Sequence, residues 1–311
     1  MEHIASTGPE RTEAEELESR AILVVSAASM LGSGWVILSF LIVPTLRTFR
    51  HQLILGLGIS EFVAALNVVI SASLNVSGSH IGSISLEPFC SFNGFMAQAF
   101  IVQTDYWILS IAVCTYLILM DYTRAASWVQ NHRIAFWCVP WSLSLLWAGL
   151  GLTIVGYENT GGWCWFTSDR VRLLTNFIPR WMIIFIILCI YTRLCLFLYQ
   201  SHKSISSDHE VTLETLPADL HQWQRLEIGN RPTRPHRSSR SLKKVSFRMM
   251  IYPTVYAMIW IIPTAVRIYQ GTTGRRAPLA LDILEKICIM SQGLVDALIY
   301  GEGNRNHAGH H

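Results

Sequence analysis

Charged side chains are scarce in this sequence. Lys, Arg, Asp and Glu make up 14% of the 311 residues, against about 25% in an average globular domain. Apolar residues make up 51%, so a soluble fold would have too few charges to cover its surface. The composition therefore excludes an ordinary soluble protein and favours an integral membrane protein. The net charge of +3 gives no electrostatic basis for a nucleic-acid partner.

Enzyme motifs are missing as well. The sequence contains no Gly-rich phosphate-binding loop, no Ser, His and Asp set of a hydrolase, and no His cluster spaced for a metal. No signal peptide is visible because residues 1–20 are polar and acidic, so the first apolar run must act as both targeting signal and membrane span. We therefore expect a non-catalytic membrane protein with no cofactor and no bound metal.

Long apolar runs are what the sequence has in abundance. A helix needs about 20 apolar residues to cross a bilayer, and seven runs of this kind alternate with breaks rich in Pro, Gly or charge. They cover residues 21–46, 52–75, 92–121, 134–156, 173–199, 245–269 and 279–300. The predicted fold class is an all-α membrane protein, a bundle of seven transmembrane helices in the lipid bilayer.

The basic residues predict the orientation of this bundle. If the N-terminus lies outside, most Lys and Arg residues of the connecting segments fall on the cytoplasmic side, Arg47 and Arg50 among them, while the break at 76–91 contains none. The positive-inside rule therefore predicts that the N-terminus is outside and the C-terminus inside. The acceptor sequon Asn75-Val76-Ser77 then falls outside, so Asn75 is a predicted glycosylation site.

The same topology divides the chain into segments. Residues 201–244 are rich in Ser, Pro, His and Arg, which is typical of a disordered loop. This loop could be a solvated linker, contact anionic lipid or a protein partner, or accept phosphate. The predicted segments are an extracellular N-terminal segment (1–20), helices one to five (21–200), the cytoplasmic disordered loop (201–244), helices six and seven (245–301) and a cytoplasmic tail (302–311).

Only two of the seven cysteines lie outside the predicted spans. Cys90 lies at the outer end of span three, and Cys164 lies in the outer loop between spans four and five. Because the outside is oxidising, we expect these two to form a disulfide that holds the loop over span three; two free thiols are the alternative. Trp163 and Trp165 flank Cys164 and suit either the lipid interface or the lid of a pocket.

Four motifs resemble one receptor family. Span three reads "TDYWILSIAVCTYLIL", the second outer loop "WCWF", span six "MIYPTVYAMIWIIP", and span seven ends in "GLVDALIYG". Together they resemble the slime-mould cyclic-AMP receptors and the fungal cyclic-AMP-receptor-like G-protein-coupled receptors, a class E-like family, over roughly residues 20–302. The resemblance implies a multi-pass plasma-membrane receptor that senses an extracellular small molecule, with cyclic AMP or a nutrient as candidates. It would activate a heterotrimeric G protein through its Gα subunit and feed cyclic-AMP signalling.

Two acids depart from the family pattern. Asp296 stands where the family usually has Asn before the Tyr-Gly ending, and Glu61 stands where such receptors more often carry Asp. Buried acids are costly and usually pair or hold a proton. Because both lie at a similar depth, we expect Glu61 and Asp296 to meet and share a proton or a cation. Separate bonds to Asn67, Ser60 or the backbone are the alternative.

Basic residues within the predicted spans indicate where a ligand could bind. Arg180, Arg267 and Lys286 lie in the outer parts of spans five, six and seven, and cations within spans are functional candidates. If all three face inward, they form a positive cup for an anion such as a cyclic phosphate; snorkelling to the headgroups is the alternative. Asp105 is expected to pair with Arg180 or Lys286 in the unliganded state. The candidate ligand-binding residues are Arg180, Arg267, Lys286, Gln98, Asp105 and Trp165.

Signalling would require span six to move. Pro253 and Pro263 remove backbone hydrogen bonds there and permit a kink, and Tyr300 ends the motif of span seven. The candidate switch residues are Glu61, Asp296, Pro253 and Tyr300. The candidate residues for G-protein coupling, at the inner ends of the helices, are Arg124, Arg193, Lys243, Lys244 and Arg248.

Other classes of seven-helix or multi-span protein give weaker matches. A transporter or channel would need matched broken helices and a continuous polar path, which the sequence does not show. A retinal-binding protein would use Lys286 for a Schiff base, but this lysine lies high in span seven, and Asp105 is the one clear acid along span three.

Overall fold

The computed structural model of the chain describes residues 9–44, 47–120, 128–129, 131–214, 250–275 and 277–308. Within these ranges the chain forms a bundle of seven helical units, which is the predicted fold class. The first four are α1 (Pro9–Ile42), α2 (Phe49–Val76), α3 (Glu87–Leu119) and α4 (Arg133–Ile154). A short 3-10 turn, Ile84–Leu86, precedes α3.

The last three helical units are each interrupted. We name them α5 (Asp169–Arg172, a π-helical turn Leu173–Phe177, and Ile178–Glu214), α6 (Ile251–Ile259 and Ile261–Thr273) and α7 (Leu279–Met290 and Gln292–Ala308). Between α4 and α5, strands β1 (Glu158–Asn159) and β2 (Cys164–Trp165) form an antiparallel hairpin in which Asn159 is opposite Cys164.

Six of the helices are long and apolar enough to cross a membrane. These stretches are Glu16–Ile42, His51–Val76, Ile84–Leu119, Arg133–Ile154, Arg170–Phe197 and Ile251–Thr273. The seventh unit, α7, is divided at Ser291 into segments of 12 and 17 residues, and it packs against α1 and α2 within the same bundle. The seven predicted spans therefore correspond to α1–α7.

Several helix boundaries differ from the predicted ones, most of all the start of α1 and the end of α5; α7 also continues to Ala308, past the predicted end at residue 300. Helix α1 begins at Pro9 rather than at residue 21, because residues 10–18 include many good helix formers and Pro suits a first helical position. Helix α5 continues to Glu214, so residues 201–214 are helical rather than disordered, since extending an existing helix is far easier than starting one. Residues 215–249, the rest of the predicted loop, lie outside the described residues.

The break in α6 has a local cause. A proline ring clashes with the carbonyl group four residues earlier and offers no N–H to it. For Pro263 that carbonyl belongs to Ile259, the last residue of the first α6 segment, and Trp260 forms the turn between the segments. Pro253 lies near the start of the first described segment and interrupts nothing there. The kink expected in span six is therefore at Pro263.

Helix α3 lies at the centre of the bundle. Trp107 on α3 is fully buried, and its ring lies so close to Gly56 of α2 that a Cβ there would approach it to 2.5 Å. On the other side, Trp137 of α4 packs edge-on against Trp107 with the ring centroids 5.0 Å apart. This packing fixes the rotation of α3 and thereby the direction of its polar side chains.

Candidate functional site

The loop between α4 and α5 closes the outer end of the bundle. Cys90 at the start of α3 and Cys164 in β2 form a disulfide with their Cα atoms 5.4 Å apart, which confirms the predicted pair. Trp163, Cys164, Trp165 and Phe166 each expose 2% or less of their surface. We call residues 158–166 the lid, because they fill the mouth of the bundle instead of lying open to solvent.

Side chains from α2 hold the turn of the lid. Ser71 Oγ donates to the carbonyl of Gly162 at 3.0 Å, and Asn75 Nδ2 donates to the carbonyl of Gly161 at 2.9 Å. Gly161 has a φ of +112°, a conformation that favours glycine. The Oδ1 atom of Asn75 also accepts the N–H of Ile81. Glycosylation of Asn75 stays a prediction, and a glycan would take one of the two N–H groups on the amide that bonds Gly161.

The hinge of the lid is fixed by Tyr157. Its hydroxyl donates to the carbonyl of Ala148 in α4 at 2.9 Å. Burial raises the pKa of Tyr157, so the hydroxyl keeps the proton that this hydrogen bond needs. Tyr157 also packs against Phe166 with the ring centroids 4.9 Å apart, which connects both ends of the lid.

Lys286 of α7 ties the lid to α1. Its Nζ donates to Glu18, to Asp282 Oδ2 at 2.8 Å and to the carbonyl of Thr160 at 3.1 Å. Glu18 also accepts the N–H of Gly162 at 3.1 Å. The side chain of Lys286 is therefore neutralised by two acids and supports the lid, instead of pointing into a cup shared with Arg180 and Arg267.

Among the charged residues that the structure describes, Arg180 is the most deeply buried. It forms a two-pronged ion pair with Asp105, with Nε 3.0 Å from Oδ1 and Nη2 2.9 Å from Oδ2. Tyr256 donates its hydroxyl proton to Asp105 at 2.5 Å, and the Arg180 guanidinium stacks 3.4 Å from the ring centroid of Trp260. We call Asp105, Arg180 and Tyr256 the central triad. It joins α3, α5 and α6 through charge-assisted hydrogen bonds.

Gln98 connects the central triad's helices with the lid. Its Oε1 accepts the indole N–H of Trp165 at 2.7 Å and an N–H of Asn176 at 3.1 Å. Within the described part of the chain, Gln98 Nε2 and Arg180 Nη1 are buried without a hydrogen-bond partner. Buried donors normally bond to something, so these two groups are suited to a polar ligand between the lid and the triad.

Arg267 occupies a separate position. Its Nη2 donates to Glu285 Oε1 and its Nη1 to Gln270 Oε1, both at 2.7 Å, and its guanidinium lies over the ring of Phe177 at 5.8 Å. The structure thus brings Gln98 and Trp165 together beneath the lid, and Asp105, Arg180 and Tyr256 together farther along α3. Arg267 and Lys286 each have their own acid, so the three cations do not form one positive cup.

The predicted acid pair lies between α2 and α7. The carboxyl groups of Glu61 and Asp296 are next to each other, and Gln292 lies beside both. A cavity of about 30 Å³ adjoins them, and Trp260 forms part of its lining together with Glu61 and Gln292. The breaks of α6 at Trp260 and of α7 at Ser291 are therefore at the level of this cavity.

Most of the residues predicted to couple to the G protein lie outside the described residues. Arg193 is exposed on α5, whereas Arg124, Lys243, Lys244 and Arg248 lie outside the described residues. Of the other switch candidates, Pro253 is buried, and Tyr300 is buried and packs edge-on against Trp35 with the ring centroids 5.8 Å apart. The roles of all these residues stay predictions.

Sequence reasoning missed four residues of this site. Glu18 fell in the predicted N-terminal segment. Glu285, Tyr256 and Trp260 were not among the candidate site residues. An acid inside an apolar span was the available signal for Glu285; the aromatic residues gave none, since spans contain many of them.

Comparison with known proteins gives consistent results. The family described as "G protein-coupled glucose receptor regulating Gpa2" matches residues 16–205, and its C-terminal counterpart matches residues 236–306. Two relatives from Arthrobotrys oligospora are Ascaroside receptor GPR2, 37% identical over 92% of this chain and 88% of the relative, and Ascaroside receptor GPR3, 31% identical over 93% and 85%.

More distant similarities agree on the architecture. Cyclic AMP receptor-like protein A of Dictyostelium discoideum is 22% identical over 62% of this chain and 49% of its own length. The crystal structure of squid rhodopsin superimposes with a TM-score of 0.67 and 15% identity, covering 93% of this chain and 81% of the rhodopsin chain. At this identity the likeness concerns the fold alone.

Proposed function

The chain belongs to the family of fungal G protein-coupled glucose receptors that regulate Gpa2, and we propose that its agonist binds between the lid and the central triad. Membership makes it a multi-pass membrane receptor that senses an extracellular molecule and activates a heterotrimeric G protein. The proposal concerns the parts that membership leaves open: the place of the ligand, its chemistry, the route of the signal, and the plasma membrane as the location.

One observation carries the proposal. The central triad ties α3, α5 and α6 together, and Arg180 is fully buried in it. A ligand oxygen at Arg180 Nη1 draws the guanidinium away from Asp105, because both acceptors then share one positive charge. Such a ligand binds better to a state in which the triad is loosened, and it therefore shifts the population toward that state.

The signal then passes through Trp260. This residue contacts Arg180 on one side and lines the cavity beside Glu61 on the other. It also forms the turn at which α6 is interrupted. Movement of Arg180 therefore acts on the break in α6, and the inner segment of α6 can swing away from the bundle to admit Gα.

The finer assignments follow the same logic. We assign the receptor to the cyclic-AMP-receptor-like group and to cyclic-AMP signalling, supported by the four motifs and by the Dictyostelium relative. Residues 1–20 are assigned to the outside, and 201–244 and 302–311 to the cytoplasm. The surface for a Gpa2-like Gα is assigned to the inner ends of α3, α5 and α6, with Arg124, Arg193, Lys243, Lys244 and Arg248.

The test is agonist-driven nucleotide exchange. Membranes containing the receptor and a Gpa2-like Gα are treated with glucose, cyclic AMP and an ascaroside, the three compounds that the names of the relatives suggest. We expect one of them to accelerate exchange and Gln98→Leu to weaken its potency by about tenfold or more. Gln52→Leu, at the inner end of α2, is the control and should leave the potency unchanged.

Two results would contradict the proposal. If an agonist acts equally on the wild type and on Gln98→Leu, the ligand does not bind below the lid. If no compound accelerates exchange and the basal rate equals that of empty membranes, the chain does not couple to this Gα.

A further inference from the structure

The lid covers the outer end of the bundle. Its last four side chains, from Trp163 to Phe166, are almost fully buried, and hydrogen bonds with α1, α2 and α7 hold its turn. A ligand from the aqueous side would have to displace the lid. A route through the side of the bundle would not require this.

Such a route begins at a groove between α5 and α6. The groove has a volume of about 700 Å³, within the range of about 300–1,000 Å³ that is usual for ligand pockets. Trp181, Met182 and Phe185 of α5 and Ile268 of α6 form much of its wall. These side chains belong to the outer halves of their helices and face away from the bundle, so the groove opens into the outer leaflet.

The inner wall of the groove is connected to the triad. Phe177 and Arg267 line the groove, and the ring of Phe177 packs edge-on against Trp260 with the centroids 6.2 Å apart. Trp260 in turn stacks under Arg180. An occupant of the groove therefore contacts a side chain that lies two contacts away from the central ion pair.

The groove also spans the junction of α5 and α6. The indole N–H of Trp181 donates to Thr264 Oγ1 at 2.9 Å, and both residues line the groove. A chain inserted there lies against this interhelical hydrogen bond and bears directly on the position of α6.

We propose that the groove binds a single-chain amphiphile, with its hydrocarbon chain between α5 and α6 and an anionic, oxygen-bearing head group at Arg267. Arg267 is the one charged residue among those that line the groove in the described chain. A guanidinium presents five N–H donors in a fork that matches a carboxylate, so Arg267 can hold a carboxylate in addition to Glu285 or in its place. The inference goes beyond the proposed function, because the groove is a second site, separate from the one proposed between the lid and the central triad.

The depth of Arg267 favours a free amphiphile over a bilayer phospholipid. Arg267 precedes Thr273, the last residue of α6, by six positions, which places it about 9 Å below the outer end of the helix. A phospholipid keeps its phosphate at the polar interface, whereas an acid that enters the groove entirely brings its carboxylate to this depth. The occupant is therefore taken to be a long-chain acid that acts as a signal.

The test is photolabelling of the full-length receptor in phosphatidylcholine nanodiscs. The probe is a long-chain fatty acid with a diazirine within its chain. We expect labelled peptides from residues 173–186 and 264–268, and competition by the unlabelled acid at a concentration about tenfold lower than by the alcohol of equal chain length, because only the acid pairs with Arg267.

A matched pair of variants tests the groove itself. Met182 and Met258 are similarly exposed, at 62% and 63%, and only Met182 lines the groove. Met182→Trp should reduce competable labelling by about tenfold or more by filling the groove, and Met258→Trp should leave it unchanged. Arg267→Gln combined with Glu285→Gln removes both charges together, so neither is left buried alone, and it should make the acid and the alcohol equal competitors.

Each other result overturns the proposal. Labelling that the acid does not compete, or that is equal in the two Trp variants, would show bulk bilayer lipid only. Equal competition by acid and alcohol in the wild type would remove the role of Arg267. The labelling readout needs no G protein. If the acid competes for labelling but does not accelerate exchange, the groove is a binding site but its occupant is not an agonist. If an agonist drives exchange but the groove is not labelled, the proposed function stands and the groove is not a binding site.

Discussion

Two groups of buried charges lie on opposite sides of Trp260, and they differ in composition. On the outer side, Arg180 is neutralised by Asp105 through two hydrogen bonds, and Arg267 by Glu285. On the inner side, Glu61 and Asp296 lie next to each other, and the residues described along the adjoining cavity include no Lys or Arg.

Because of this difference, the two groups of charges are suited to respond to different stimuli. A buried ion pair stays together until a ligand replaces one partner, because either charge alone would be buried without a counter-charge. Two carboxyl groups in contact cannot both be ionised without a large penalty, so we predict that Glu61 and Asp296 hold a proton or a cation between them. The outer group is thus suited to respond to an extracellular ligand, and the inner group to respond to the protonation or ion content of the bundle.

The largest effect is expected from breaking the outer pair. Arg180→Gln leaves the Asp105 carboxylate buried without its counter-charge, which should lower the free energy of unfolding by about 3–5 kcal/mol. Thermal unfolding of the purified receptor in detergent measures this loss. The double variant Asp105→Asn/Arg180→Gln should regain most of it, because no charge is then left unpaired.

The exposed pair of Arg20 and Glu16 provides the control. Its atoms are 2.5 Å apart, but both side chains are solvent-accessible, and such pairs contribute about 0–1 kcal/mol. Arg20→Gln should therefore change the melting temperature little. Equal losses in Arg20→Gln and Arg180→Gln would refute the view that burial makes the central pair the stronger support.

A smaller effect is expected from the tyrosine of the triad. Tyr256→Phe removes one hydrogen bond to the Asp105 carboxylate and leaves the ion pair intact, which should cost about 1.5–3 kcal/mol. Because this bond ties α6 to α3, basal nucleotide exchange should rise as well. Tyr157→Phe, which loses the bond to Ala148 in the lid hinge, is the control; a comparable rise in exchange there would mean that general loosening, not the triad, controls α6.

The sequence allowed the helices and the disulfide to be predicted for clear reasons. Apolar runs of spanning length mark the helices whatever their packing. Cys90 and Cys164 were paired because they alone lie outside the predicted spans on the oxidising side. The pair of Asp105 and Arg180 was one of two options that were kept, since Lys286 offered a second cation for the same acid.

The other partners could not be chosen from the sequence because they depend on helix rotation. A helix that is apolar around most of its circumference carries little periodic signal for which face points inward. Arg267 forms an ion pair with Glu285 on α7, and Lys286 forms one with Glu18 on α1. Glu285 and Lys286 are neighbours in sequence but have different partners. Glu18 became available because α1 extends outward beyond the predicted span.

The smallest change in stability, and one of opposite sign, is expected for the inner pair. Asp296→Asn removes one of two adjacent carboxyl groups and allows an amide to donate to Glu61, so the free energy of unfolding should stay equal or rise by up to about 1 kcal/mol. The same substitution removes the site at which we predict a shared proton or cation. Basal exchange by the wild type should therefore vary with pH between acidic and neutral conditions, and exchange by Asp296→Asn should vary less. A loss of stability as large as that of Arg180→Gln, with an unchanged pH profile, would show that Asp296 is an ordinary structural acid and that the two groups of charges do not differ in the way inferred above.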